Sequence, residues 1–508
     1  MTFTMTSREW PGWVMMTLMS SMTMLDTEFS CCLEVTAMPS WSHPTPGHTA
    51  VAVYVERWEP ACRVVNLCCD RRAREKPGDD RDKKCVCLHV RIFLLLNYTR
   101  IRKGPVGRYD SAMAADNRAS NVLIAGGGIG GLCAALCLAR HGIATTVFEQ
   151  SCDFEEVGAG IQVSPNASRV LHSLGLEEAL REFAFLPQAT EFRGWRNGSV
   201  LGSAPLGDAA IERYGAPYYH LHRGDLLRVL LDAARNTSVI ALETGSQVID
   251  AGTQADRAWL CFDDVRAEAD AVVGADGIHS AVRTALWDDG KPVFTGNVAW
   301  RALVPTERLP VEHVRPVTTA WWGPGKHFVH YYVRRGTVVN CVCVVEKAGW
   351  EVESWAEHGD VAELRRDFRG WSRDLQILLD AVDSDVLYKW ALFDRPPMTQ
   401  WGRGRVTLLG DACHPTLPFM AQGAAMAIED AAVLASCLTK LPMPAALARY
   451  EALRIRRTAR VQQGSRRNAK VFHLSGAAAW VRNRALRLVG DRPMADLYRY
   501  DVFREILD

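Results

Sequence analysis

An α/β fold is predicted for this chain from three strand-to-turn signals, at Gly126, Asp276 and Asp411, that lie far apart in its 508 residues. Each follows a short apolar run of the kind that forms a buried parallel strand. Three such turns with long segments between them imply one Rossmann-like nucleotide-binding domain built from separated pieces. A mixed-sheet substrate domain is then inserted between the pieces, and a helical region closes the chain.

The first signal is the most complete. Asn121-Val-Leu-Ile-Ala125 reads as a buried strand, and Gly126, Gly128 and Gly131 satisfy the spacing GxGxxG. An apolar helix over Leu132–His141 stops at Gly142, and a second strand over Ala144–Glu149 ends in an acid. Gly126 permits the tight turn, Gly128 lets backbone approach a pyrophosphate, and Gly131 lets helix and strand pack closely. The phosphates then face the positive end of the helix dipole. Glu149 can accept both hydroxyls of an adenosine ribose. This motif serves NAD and FAD alike. Cys133 and Cys137, one helical turn apart, read as small apolar fillers against the sheet.

The second signal is a strand over Ala269–Val273 leading into Gly274-Ala275-Asp276-Gly277-Ile278-His279-Ser280-Ala281-Val282-Arg283. The third is a strand over Arg405–Leu409 leading into Gly410-Asp411-Ala412-Cys413-His414-Pro415, then Ala421-Gln422-Gly423 and an Ala-rich helix. Asp411 at a strand end can accept a ligand hydroxyl. A helix starting at Gln422-Gly423-Ala424 offers N–H groups and a dipole that favour negative charge. His414, beside Pro415 and Pro418, reads as part of a loop.

Between Lys291 and Trp390 the chain is rich in Trp, Tyr and β-branched residues. In the run His327-Phe-Val-His330-Tyr331-Tyr332-Val333 a period of two puts His327, Val329 and Tyr331 on one face. His330 falls on the other face, as a structural residue. A histidine near neutral pKa can accept a phenol proton, and a tyrosine hydroxyl can hold a carboxylate or phenol.

The motifs GxGxxG, DGxxSxxR and Gly-Asp followed by His-Pro, in this order, resemble those of the single-component FAD-dependent aromatic hydroxylases. The nearest patterns are those of the salicylate hydroxylase, 3-hydroxybenzoate 6-hydroxylase and 6-hydroxynicotinate 3-monooxygenase types. The resemblance covers about Asn121 to Ala459. It implies FAD as cofactor, NADH or NADPH as co-substrate without a domain of its own, and O2. It also implies that Asp411 holds the flavin ribityl chain, that Asp276 and Gly277 contact the pyrophosphate, and that Arg283 anchors their loop. His222-Arg223-Gly224-Asp225-Leu226 resembles the family's HRxDL segment, where the Arg contacts FAD. Gln150, Gln162 and Val248 match FAD-contact positions, and Gln162 resembles the salicylate and 3-hydroxybenzoate types. His327 and Tyr331 match a His-x-x-x-Tyr strand that lines the aromatic pocket and are the implied catalytic residues. Phe419, where the hydroxynicotinate type has a histidine, implies a more apolar pocket.

The implied activity is hydroxylation of a hydroxylated aromatic acid, as in salicylate to catechol or a 3-hydroxybenzoate reaction. The alternatives are a flavin hydroxylase of another aromatic or terpenoid ring and a non-enzymatic FAD-binding protein. The expected domains are an FAD-binding domain over 113–187, 220–290 and 396–440, a substrate domain over 188–219 and 291–395, and a helical region over 441–508. Residues 1–112 lack the marks of a folded domain. They hold eight of the 14 methionines and seven of the 15 cysteines, and Asp70–Lys84 is a run of mixed charge. They are expected to be a disordered extension, or one preceding a functional start at Met113. A net charge of +1 gives no support to a nucleic-acid partner. No apolar run is long enough to span a membrane, and no metal site is expected. A cytoplasmic enzyme, monomer or homodimer, with reduced thiols fits this composition. The six arginines of Arg454–Arg467 read as a solvated helix face.

Overall fold

The computed structural model describes residues 119–506 apart from 155–158, 264, 288, 348, 350–356 and 491. Before them it describes only the backbones of two antiparallel pairs, Thr2–Trp10 with Trp13–Ser21 and Leu33–Val35 with Val51–Val53. Apart from those strands, the expected extension 1–112 and the start at Met113 lie outside the described residues.

A six-stranded sheet takes its members from three distant parts of the chain. Its order is Ile240–Glu243, Ala144–Phe148, Asn121–Ala125, Ala271–Gly274, Val406–Leu408, Gly402–Arg403. The first five run parallel, and the last pairs antiparallel as a hairpin. Its central strands Asn121–Ala125 and Ala271–Gly274 are largely apolar because both faces are covered, by the helix Ile129–Ala139 and by an antiparallel meander. The helix Ile129–Ala139 is almost wholly buried, so it has little amphipathic character to read. It starts three residues before the expected Leu132, since the phosphate turn itself winds into the helix. Ala269 belongs to a separate antiparallel meander, Asp250–Gln254, Arg257–Phe262 and Val265–Ala269, and not to the strand that follows it.

A seven-stranded sheet has the order Leu387–Asp394, Val293–Pro305, Val338–Glu346, Lys326–Val333, Thr318–Gly323, Ala189–Gly194, Val200–Pro205. It is mixed: Thr318–Gly323 runs parallel to Ala189–Gly194, and the other neighbours are antiparallel. One face buries Trp300, Trp321 and Phe328 against the helices Val361–Asp367 and Arg373–Asp380. His330 lies on this side, with Trp321 Nε1 donating to its Nδ1 at 3.3 Å. The other face carries His327, Val329 and Tyr331 into a cavity.

The helix Gly423–Lys440 packs against the helices Ile129–Ala139 and Pro165–Ser173 and against the 28-residue helix Ala445–Phe472. Of the six arginines expected on a solvated helix face, Arg456, Arg460 and Arg467 are exposed, but Arg454 and Arg457 are not. Arg454 is fully buried and pairs with Glu429 at 2.7 Å and Asp430 at 2.6 Å, while Arg457 pairs with Glu429 at 2.9 Å. Two acids inside an otherwise apolar helix need such partners. Eight described cysteines are free thiols, six of them buried. Among the described residues no helix is long and apolar enough to cross a membrane.

Candidate active site

Two cavities meet at the C-terminal ends of the parallel strands. The first, of 350 Å³, is lined by Gly126, Gly128, Glu149, Gln150, Val248, Asp276 and Gly277. The three motif glycines do different work here. A Cβ on Gly131 would lie 1.9 Å from the Gly126 carbonyl oxygen, so this position serves packing. Gly126 has φ +101° and would press a Cβ to 2.4 Å from the Ala275 oxygen. Around Gly128 nothing lies within 4 Å, which is the open approach a pyrophosphate requires. The Glu149 carboxylate accepts the N–H of Gly127 at 2.9 Å and of Ser151 at 3.0 Å. Each oxygen keeps acceptor capacity for a hydroxyl.

The DGxxSxxR segment forms a closed hydrogen-bond set. Asp276 accepts from the Ser280 hydroxyl at 2.5 Å and from the Val282 N–H at 3.1 Å. Ser280 in turn accepts from the Arg283 N–H at 2.8 Å and caps the helix Ala281–Leu286. Buried Arg283 donates to the Ala412 carbonyl at 3.1 Å, which ties this loop to the Gly-Asp turn. Both Asp276 carboxylate oxygens are therefore already engaged, and burial pushes this carboxyl up.

Arg223, Asp411, Gly423 and Ala424 line both cavities and mark their junction. Asp411 is surrounded by protein, yet its surface is open to the cavities; burial raises its carboxyl, opposed by His414 and Arg223. Gln422 is buried, with its side chain turned inward: its amide donates to the Ser164 hydroxyl at 3.0 Å and its carbonyl accepts from Asn166 at 3.1 Å. What it offers the cavity is the start of the 18-residue helix Gly423–Lys440. Ala421 before it holds φ +50°, a strained position of the kind found where a loop is pinned at a site. His414 is buried and bonded to Asp430 at 2.5 Å, away from both cavities. Cys413, His414 and Asp430 bring ligand-type atoms together. They are engaged with the Gly410 carbonyl, with each other and with Arg454, as a charge cluster.

The second cavity, of 540 Å³, lies in the usual range for a small-molecule site. Its walls include His327, Tyr331, Phe419, Trp322 and Gln162. The Tyr331 ring lies 4.5 Å from that of His220, and burial raises its hydroxyl, so it stays a donor. Gln162 accepts the Tyr218 hydroxyl at 2.6 Å. His327 lies 5.1 Å from the Phe419 ring. Burial, and secondly His473, hold its imidazole well below the usual range, so it is neutral.

Sequence reasoning missed Arg301. It lines this cavity and stacks 4.4 Å over the Trp390 ring. Its Nε is enclosed without a hydrogen-bond partner, and among the described residues no carboxylate pairs with it. Burial lowers its pKa to about 10, which leaves it charged at neutral pH. Its signal was a single arginine in the apolar strand Val293–Pro305.

A Rossmann-like sheet, an open phosphate turn and a helix N-terminus at the mouth of an aromatic cavity define a dinucleotide-binding oxidoreductase. The chain belongs to the FAD binding domain family, which matches residues 119–465. It is 41% identical over 370 residues to 3-amino-4-hydroxybenzoate 2-monooxygenase of Streptomyces platensis, covering 72% of this chain and 92% of the relative. It is 37% identical to 3-hydroxybenzoate 6-hydroxylase 1 of Aquipseudomonas alcaligenes, covering 75% and 96%. A solved salicylate hydroxylase substrate complex superposes with a TM-score of 0.66 at 26% identity, covering 77% of this chain and 98% of that one. The protein is an FAD-dependent aromatic monooxygenase.

Proposed function

We propose that this enzyme hydroxylates a hydroxylated aromatic carboxylic acid of salicylate or hydroxybenzoate type, using NADH or NADPH and O2. The observation that carries the substrate class is Arg301: a guanidinium whose Nε has no hydrogen-bond partner, beside Tyr331, on the aromatic-rich wall of the second cavity. A partly buried unpaired cation is costly, and a substrate carboxylate removes that cost. The relatives' printed substrates are aromatic acids carrying a hydroxyl, which supports the same class.

FAD, when bound, supplies electron acceptance from the nicotinamide and activation of oxygen. The phosphate turn of Gly126, Gly128 and Gly131, with Glu149, Gln150 and Val248, holds the adenosine diphosphate end. Asp276, Gly277, Arg223 and Asp411 bind the middle of the cofactor, and the helix start at Gln422, Gly423 and Ala424 favours negative charge on the ring. Gln162 closes the cavity wall. Arg301 orients the acid, Tyr331 donates to a substrate oxygen, and neutral His327 accepts the phenol proton, making the ring electron-rich.

The test is to purify the full chain, confirm bound FAD, and follow NADH and NADPH oxidation with a panel of hydroxybenzoates and their decarboxylated phenols. Oxidation stimulated by the acids and not by the phenols is expected. Peroxide formation that is equal with every compound, without any hydroxylated product, contradicts the proposal.

A further inference from the structure

His327 does not stand alone. Its Nδ1 lies 2.9 Å from Nε2 of His473, and Nδ1 of His473 lies 2.7 Å from a carboxylate oxygen of Glu346. The His473 side chain is 3% exposed, whereas that of Glu346 is 57% exposed. The three residues therefore run from the wall of the aromatic cavity to solvent.

Backbone bonds fix this line. His473 caps the C-terminal end of the helix Ala445–Phe472, and its carbonyl accepts from the Gly325 N–H at 3.1 Å. The Gly325 carbonyl accepts from the Glu346 N–H at 2.9 Å. Arg482 takes the carbonyls of Val471 and Phe472 at 2.8 and 2.9 Å, which anchors the helix end beside His473. The His327 ring is flanked by those of Phe419 and Phe472 at 5.1 and 5.5 Å, which hold it in place against the cavity wall.

The chemistry of the donors then sets both tautomers. A carboxylate only accepts, so His473 Nδ1 carries hydrogen toward Glu346. Its Nε2 is left as an acceptor, so His327 Nδ1 carries hydrogen toward it. His327 Nε2 remains as a lone pair for the cavity. Glu346 thus orients a base that it does not touch.

We propose that Glu346 and His473 form with His327 a proton relay that carries the substrate's hydroxyl proton from the aromatic cavity to solvent. This rests on the reading of His327 as the group that accepts the phenol proton. The substrate O–H bond breaks as a bond forms at His327 Nε2. The His327 Nδ1 proton passes to His473 Nε2, and the His473 Nδ1 proton passes to Glu346 and on to water. One proton leaves, and no electrons move. Burial holds both imidazoles below the usual range, with Glu346 opposing and Arg482 reinforcing this at His473. Each imidazole therefore stays neutral, keeping one N–H and holding no second proton, so transfer runs through to solvent. His473 and Glu346 are positioning residues, since neither touches the substrate.

The test uses FAD-loaded full chain as wild type, His473→Asn and Glu346→Gln. Imidazole ¹⁵N spectra without substrate are expected to show both histidines protonated at Nδ1, with that preference lost in Glu346→Gln. Deprotonation of a bound hydroxybenzoate, followed by its phenolate absorbance, is expected to slow about tenfold or more in His473→Asn and to recover with added imidazole. FAD content and substrate affinity stay unchanged. Glu346→Gln, at an exposed side chain, keeps the test open if His473→Asn does not fold. Wild-type deprotonation rates and pH profiles in the variants overturn the relay, as does a His327 protonated at Nε2. If wild type binds no hydroxybenzoate, the substrate reading fails separately, and the ¹⁵N tautomers still decide for or against the hydrogen-bonded line.

Discussion

The two cavities share a junction but are built by different means. The dinucleotide end is framed by backbone: glycines, turns and a helix start, brought together by a parallel sheet, with Glu149, Asp276, Arg223 and Asp411 around it. The aromatic end is made of side chains that converge from strands and helix ends scattered between Gly160 and Tyr498. The backbone part of the first site is sensitive above all to added volume. A side-chain site responds to the loss of a particular charge or proton path. Substitutions at the two ends should therefore fail in different ways.

The largest effect is expected at Gly131. An added methyl would collide with a backbone oxygen that cannot move aside, so Gly131→Ala should cost roughly 3 kcal/mol of stability and abolish FAD loading, as read by thermal melts and flavin content. Next comes the aromatic end. Arg301→Met should cost about 3 kcal/mol of carboxylate binding, a factor of roughly 100 in KM for an aromatic acid. The same variant should change the dissociation constant of a phenol without a carboxylate far less. FAD content should not change. Equal losses for acid and phenol would place Arg301 outside substrate binding. The smallest structural effect belongs to Gly128→Ala. With nothing within 4 Å, the FAD-free protein should melt within about 0.5 kcal/mol of wild type, while FAD affinity falls. If Gly131→Ala and Gly128→Ala behaved alike, the division of labour among the motif glycines would be wrong.

The same contrast explains what could be read from the sequence. The dinucleotide end was legible because its geometry is local: strand, turn, helix and acid follow one another from Asn121 to Glu149. The family resemblance extended this to Asp276 and Asp411. His327 and Tyr331 were legible from a period of two along one strand. Arg301 looked like one charge among many, because nothing local says that it stacks on Trp390 with no acid nearby. His473 sits 146 residues from His327 and meets it only through the fold. Arg454 was misread as solvated because its partners, Glu429 and Asp430, lie in the preceding helix. Those two acids in an Ala-rich apolar helix were the available signal.

The most direct test of the account is the fate of molecular oxygen. FAD-loaded enzyme is supplied with NADH or NADPH, ¹⁸O₂ and an aromatic hydroxy acid, and the product is analysed by mass. The expected product is ring-hydroxylated and carries one ¹⁸O atom, formed with wild type and strongly reduced in Arg301→Met and in a His327→Ala variant. Reduced oxygen appearing only as peroxide across the whole panel of acids, or a product whose new oxygen comes from water, would contradict it.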